Sequence, residues 1–230
     1  MHKIDIIIKC IVVGDSSCGK TSFINRIIDN KFEEKSSSTV GIDFKIKTYN
    51  YSNKNKYINK VKVYFWDTAG QERFDSLVSS YFKKGNFVLI FYDITNKKTF
   101  ESIANKQNSW IDKIQKNNPI LLENNFNYSR SILIGNKSDL EENRSVNLED
   151  GAELSNKFNL HFFETSVKEK NNTQDVINYM IENIINEITV KLDKNEHLIG
   201  KEDIVDIIYE QDIINNKFYF SIPQKEKCCY

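Results

Sequence analysis

Gly14, Asp15, Ser16, Ser17, Cys18, Gly19, Lys20 and Thr21 match the pattern G-x-x-x-x-G-K-[ST]. An apolar run at residues 6–13, broken only by Lys9, leads into this stretch. Phe23, Ile24, Ile27 and Ile28 follow it at helical spacing. This order of buried strand, glycine-bounded loop and helix constrains the fold more than anything else in the chain. Backbone N–H groups of such a loop, together with the helix N-terminus, converge on a phosphate, and the glycines let the backbone come close. Lys20 is placed to reach the β- and γ-phosphates, and the Thr21 hydroxyl to ligate Mg²⁺. The motif specifies a nucleoside triphosphate but neither the base nor the reaction.

Further along, strand and helix patterns alternate. Residues 44–51 and 60–66 alternate as strands around a polar turn at 52–59, which reads as a hairpin. Residues 87–92, 131–135 and 161–164 are further short strands. Helical spacing is expected over 100–114, 148–158 and 176–188. Six strands interleaved with helices predict an α/β fold: a mostly parallel six-stranded sheet covered by helices on both faces, with ligands bound beyond the strands' carboxyl ends. Residues 119–128 read as an Asn-rich surface insertion. The compact domain is expected to occupy 1–190, and 191–230 form a tail with one possible helix at 202–215. With 32 basic and 32 acidic residues, the chain lacks the charge excess needed to hold nucleic acid electrostatically. No run approaches the length of a membrane-spanning helix. Only Arg26, Arg73, Arg130 and Arg144 are arginines, which reads as a background preference for lysine.

Two further motifs narrow the substrate. Asn136, Lys137, Ser138 and Asp139 follow the strand at 131–135. The Asp139 carboxylate can accept hydrogen bonds from guanine N1 and N2, a donor pair that adenine lacks, so a wrong base leaves it unpaired. Asp67, Thr68, Ala69, Gly70 and Gln71 follow the strand at 60–66. Asp67 can hold Mg²⁺ through water, the Gly70 amide can sense the γ-phosphate, and Gln71 can orient the attacking water. Small-molecule kinases of the P-loop class fit neither of these motifs, which disfavours that reading.

The three motifs in this order resemble those of Ras-superfamily small GTPases. The residues between them resemble the Rab family: 40–44 (VGIDF), 62–66, 73–77 (RFDSL), 81–85 (YFKKG) and 90–95 (IFYDIT). The resemblance spans about residues 4–190. It implies a G domain that cycles between GDP and GTP, uses Mg²⁺ and regulates vesicle traffic. Exchange factors, GTPase-activating proteins, a GDP-dissociation inhibitor and effectors are the implied partners. By matching position, Thr39 is implied to contribute its hydroxyl to Mg²⁺ and its amide to the γ-phosphate, and Phe32 to lie against the guanine ring. Ser166, Val167 and Lys168 match the base loop whose central amide donates to guanine O6. Ile42, Phe44, Trp66 and Tyr81 match the surface read by effectors, and the segments 36–44 and 69–84 the two switches. With Thr39 and Gln71 intact, a cycling GTPase is favoured over a scaffold that holds nucleotide without hydrolysing it.

Two residues depart from the family pattern. Val167 replaces an alanine and is expected either to crowd the base or to be absorbed by nearby space; Lys84 replaces a glycine. The four cysteines do not make a disulfide framework or a zinc site. Cys10 reads as core, Cys18 belongs to the phosphate loop, and Cys228 and Cys229 resemble the double-cysteine end of Rab proteins, implying prenylation of both. The implied location is the cytoplasmic face of an intracellular membrane, with a cytosolic pool.

Overall fold

The computed structural model describes residues 4–34, 41–51, 54–55, 58–68, 82–83, 85–104, 108–122, 124–125 and 128–193. Strand β1 (Ile4–Gly14) lies at the centre of the sheet. Its side chains alternate between the two faces: Ile6, Ile8, Cys10 and Val12 join one buried cluster, Ile11 and Val13 the other. That period of two explains why an almost unbroken apolar run is needed, since both faces of a central parallel strand are covered.

Helix α1 (Lys20–Asp29) follows, and then β2 (Ile42–Asn50) and β3 (Ile58–Thr68) form the expected hairpin, paired antiparallel from Ile42↔Thr68 to Asn50↔Lys60. Next come β4 (Phe87–Asp93), α2 (Lys97–Ala104) and α3 (Trp110–Asn117). A 3-10 turn at Pro119–Leu122 leads into the two-residue strands β5 (Asn124–Asn125) and β6 (Tyr128–Ser129). The chain continues through β7 (Ser131–Asn136), a 3-10 segment (Ser138–Asn143), α4 (Leu148–Lys157), β8 (His161–Thr165) and α5 (Thr173–Asp193).

The six-stranded sheet runs β2-β3-β1-β4-β7-β8, parallel except for the edge strand β2. Phe23, Ile24 and Ile27 of α1 and the Val176–Ile188 face of α5 cover one side. Ile103 of α2, Trp110, Ile111 and Ile114 of α3, and Leu154 of α4 cover the other. Among the described residues no helix is long and apolar enough to cross a membrane.

Two local expectations change. The helix anticipated over 100–114 is two helices. Asn108 takes a left-handed φ of 62°, and Ser109 starts α3 with a capping box: its hydroxyl accepts from the Asp112 N–H while the Asp112 carboxylate accepts from the Ser109 N–H. Local capping chemistry ends the periodic run there. Residues 119–128 are likewise more than a surface insertion, because Leu121 is buried and its carbonyl accepts from the Ser131 hydroxyl. Residues 202–215 lie outside the described residues, and α5 extends three residues past 190, to Asp193.

Candidate functional site

Because β1, β3, β4, β7 and β8 run parallel, their carboxyl ends share one edge of the sheet, and the three motifs meet there. Gly14 ends β1 with φ 136°, where an added Cβ would collide with the Phe91 carbonyl of β4. Gly19, with φ 91°, faces the Asn136 amide so closely that a side chain would displace it. Between these two glycines the loop turns back on itself, and Ser17 also takes a positive φ of 67°.

Lys20 is buried, and its ammonium donates to the carbonyls of Gly14 and Asp15, each at 2.8 Å. Burial lowers its pKa, while the negative charges of Asp67 and Asp15 act in the opposite direction. The cation is therefore held against the loop by carbonyl oxygens. Cys18 is fully buried and desolvation pushes its thiol up to about 11, so it is a neutral packing group. Cys10 is buried in the core, as expected, and its thiol is likewise pushed up.

Asp67, at the end of β3, is 1% exposed. Its Oδ2 accepts from the Thr21 hydroxyl at 2.5 Å, and its Oδ1 is buried without a hydrogen-bond partner among the described residues. Burial raises this carboxyl's pKa; the Thr21 hydrogen bond and the Lys20 charge lower it. A buried carboxylate oxygen with no donor, beside a hydroxyl on the neighbouring helix, suits a small hard cation that takes oxygen ligands. Thr21 and Asp67 thus fit Mg²⁺. Thr68, the last residue of β3, ties this strand end to β1 by donating to the Val12 carbonyl at 2.7 Å.

At the end of β7, Asn136 does structural work that the sequence did not reveal. Its Nδ2 donates to the Cys18 carbonyl at 2.8 Å and its Oδ1 accepts from the Thr165 hydroxyl at 3.1 Å. One buried amide thereby joins the phosphate loop, β7 and β8. Lys137, with φ 70°, pairs with the Asp93 carboxylate at 2.5 Å. Asp139 is half-buried, and its Oδ1 accepts from the Ser166 hydroxyl at 2.6 Å. Ser166 Oγ also accepts from the Glu169 N–H at 3.1 Å, closing the base loop into a tight turn.

Val167 is 3% exposed and belongs to the buried cluster that includes α1 and α5. Its extra methyls are therefore absorbed by the core. Val167→Ala is expected to cost about 2 kcal/mol of stability, from two lost methyls and the space they leave. Thermal or denaturant unfolding checks this, and an unchanged midpoint would contradict it.

Phe32 is partly buried, packs against the same cluster, and lies with its ring centroid 5.8 Å from the Arg26 guanidinium. On β2 and β3, Phe44 and Trp66 are cross-strand partners. Phe44 is 47% exposed and Trp66 partly buried. Ile42 opens β2, but its side chain, together with Thr39, Gly70, Gln71, Tyr81, Lys84, Cys228 and Cys229, lies outside the described residues.

Two contacts at the site escaped the sequence reading. Trp110 Nε1 donates to Asp15 Oδ1 at 3.0 Å, tying α3 to the phosphate loop, with the Lys113 ammonium 4.4 Å from its ring centroid. Arg26 reaches the base loop. A signal for Arg26 was present: in a chain with 32 basic residues, only four are arginine. The three that are described all have partners for the guanidinium. Arg130 pairs with Glu187, Arg144 chelates Glu164 and Glu141, and Arg26 holds carbonyls. At Arg26 and Arg144, lysine would keep the charge but could not reproduce the several contacts of one guanidinium.

The Ras family model matches residues 9–186. Among curated proteins, the chain is 36% identical to the Ras-related protein Rab-3 of Caenorhabditis elegans, over 83% of this chain and 80% of that protein. It is 34% identical to the Ras-related protein Rab-13 of Canis lupus familiaris, over 87% and 91%. It is 36% identical to the Ras-related protein Rab-10 of Diplobatis ommata, over 84% and 89%. With the phosphate loop, the Thr21–Asp67 pair and the NKSD turn converging on one sheet edge, the chain belongs to the Ras family, as a Rab-like small GTPase that binds guanine nucleotide with Mg²⁺ and hydrolyses GTP.

Proposed function

We propose that the chain is a membrane-anchored Rab switch for vesicle traffic, with its nucleotide gripped by the residues named above. The observation that carries this is the convergence of four strand ends into one polar cradle, three of them joined by Asn136. Backbone N–H groups of residues 14–20 and the Lys20 ammonium receive the phosphates. Asp139 reads guanine N1 and N2, the base loop at Ser166, Val167 and Lys168 reads O6, and Phe32 covers the ring. Thr21, Thr39 and Asp67 are the residues to hold Mg²⁺, which when bound neutralises charge on the β- and γ-phosphates. Gln71 orients the attacking water, and the Gly70 and Thr39 amides report the γ-phosphate to residues 36–44 and 69–84.

Readout by effectors falls to Ile42, Phe44, Trp66 and Tyr81. The pattern on β2 supports this. Phe44 and Ile46 are each 47% exposed, whereas Lys45 and Lys47 bend toward α1, where Lys45 donates to Asn25 Oδ1 and Lys47 to the Ile28 carbonyl. A strand that turns Phe44 and Ile46 outward and Lys45 and Lys47 inward offers a binding face. Exchange, activating and GDP-dissociation-inhibitor proteins are the further partners this reading needs.

Residues 1–190 act as the G domain, and residues 191–230 as the tail that carries the anchor. The tail contains six lysines against eight acidic residues, so no polybasic signal supplements a lipid. A single lipid chain binds membranes only marginally, whereas two suffice. Cys228 and Cys229 are therefore jointly required for residence on the cytoplasmic face of an intracellular membrane. Fractionation of cells expressing Cys229→Ser is expected to move most of the protein into the soluble pool. Membrane levels equal to wild type would contradict the anchoring scheme.

A further inference from the structure

Arg26 lies on α1 between the buried Phe23, Ile24 and Ile27, one turn before the helix ends at Asn30. Its Nε–H donates to the Val167 carbonyl at 2.9 Å, one terminal N–H donates to the Lys168 carbonyl at 3.1 Å, and the other donates to the Asn30 carbonyl at 3.0 Å. Asn30, in a left-handed conformation, returns a bond from its own N–H to the Arg26 carbonyl at 3.1 Å. The same guanidinium faces the Phe32 ring at 5.8 Å, and two residues later the Glu34 carboxylate lies 3.6 Å from the Lys168 ammonium. One side chain thus holds the end of α1, the ring at Phe32 and the two peptides of the base loop.

We propose that Arg26 is a positioning residue that sets how long guanine nucleotide stays bound, by clamping the base loop to the chain that enters residues 35–40. The inference rests on the assignment of Asp139, residues 166–168 and Phe32 to the base. Its path can be followed bond by bond. A trans peptide points its N–H opposite its C=O, so fixing the Lys168 carbonyl fixes the direction of the Glu169 N–H. That N–H donates to Ser166 Oγ, whose hydroxyl donates to Asp139 Oδ1. Arg26 therefore orients the base-reading carboxylate through one peptide and one hydroxyl. In the other direction, the Val167 carbonyl fixes the Lys168 N–H. Polarisation along such a chain strengthens each member. Lysine in place of Arg26 would keep the charge but could not present a fork to two carbonyls at once.

The test uses the full chain with Mg²⁺, loaded with a fluorescent GDP analogue and chased with excess GDP. Arg26→Ala is expected to release the nucleotide about ten- to a hundred-fold faster, as loss of charged hydrogen bonds predicts. Arg26→Lys should fall between that rate and wild type, and association rates should stay within about threefold. Amide exchange should accelerate at residues 166–169 and 32–34, not across β4 and β7. Release at the wild-type rate in both variants would overturn the proposal. So would exchange that accelerates evenly through the sheet, because that marks a general weakening of the fold. If Arg26→Ala does not fold, Arg26→Lys and Arg26→Gln decide on the same criterion. Failure of the underlying base assignment is distinguishable: wild type would then hold GDP no better than ADP, before any variant is compared.

Discussion

Asp139→Ala is expected to weaken guanine-nucleotide binding by about 10²–10⁴-fold. Two hydrogen bonds from guanine to a carboxylate contribute about 1.5–3 kcal/mol each, and every 1.4 kcal/mol is about tenfold in affinity. The carboxylate is held ready for this role. Its Oδ1 accepts from the buried Ser166 hydroxyl at 2.6 Å, which anchors the side chain without occupying both oxygens. Because Asp139 is half-buried at a sheet edge and outside both core clusters, its loss should change thermal stability of the nucleotide-free protein little. Competition binding with GDP and ADP measures the effect. A loss of less than about threefold, or an equal loss for both nucleotides, would contradict the role given to Asp139.

The second large effect is on the chemical step. Phosphoryl transfer gains about 10³–10⁵-fold from an arginine that meets charge developing on the γ-phosphate. This chain has four arginines, and the described three are committed elsewhere. Arg26 holds the base loop, Arg130 pairs with Glu187 at 3.0 Å, and Arg144 binds both Glu164 and Glu141 at 2.7 Å. No arginine lies between Arg26 and Arg73, so the first switch cannot supply one in cis. Intrinsic hydrolysis is therefore expected at the rate of an isolated Ras domain, about 10⁻⁴–10⁻³ s⁻¹, and an activating partner that inserts an arginine should raise it by about 10³–10⁵-fold. The same reasoning separates a cycling switch from a locked scaffold, since a scaffold would not respond to the added arginine.

How much of this was legible in the sequence depends on the range of each interaction. The phosphate loop, the Asp67 turn and the NKSD turn are short, and each sits at the end of an apolar strand, so their chemistry and their place on the sheet could be read together. The antiparallel hairpin was legible from alternation around a polar turn. The division of the helix at 100–114 was harder, because periodicity continued through it; the signal was the Ser109–Asp112 capping pair rather than a breaker. Contacts between distant segments could not be read at all. Asn136 bridges to Cys18 across 118 residues, Trp110 to Asp15 across 95, and Arg26 to Val167 across 141. Nothing local announces such partners. Val167 shows the converse: local sequence left open whether it crowds the base or is absorbed nearby, and its packing in the buried cluster decides for the second.

The most direct measurement is single-turnover hydrolysis of preloaded GTP by the purified chain, alone and with a Rab-directed activating domain. A first-order constant of about 10⁻⁴–10⁻³ s⁻¹ alone, rising at least about 10³-fold with the activating domain and losing that response in Gln71→Leu, is the predicted result. Turnover above about 1 s⁻¹ without a partner, or no acceleration by any arginine-supplying domain, would contradict it.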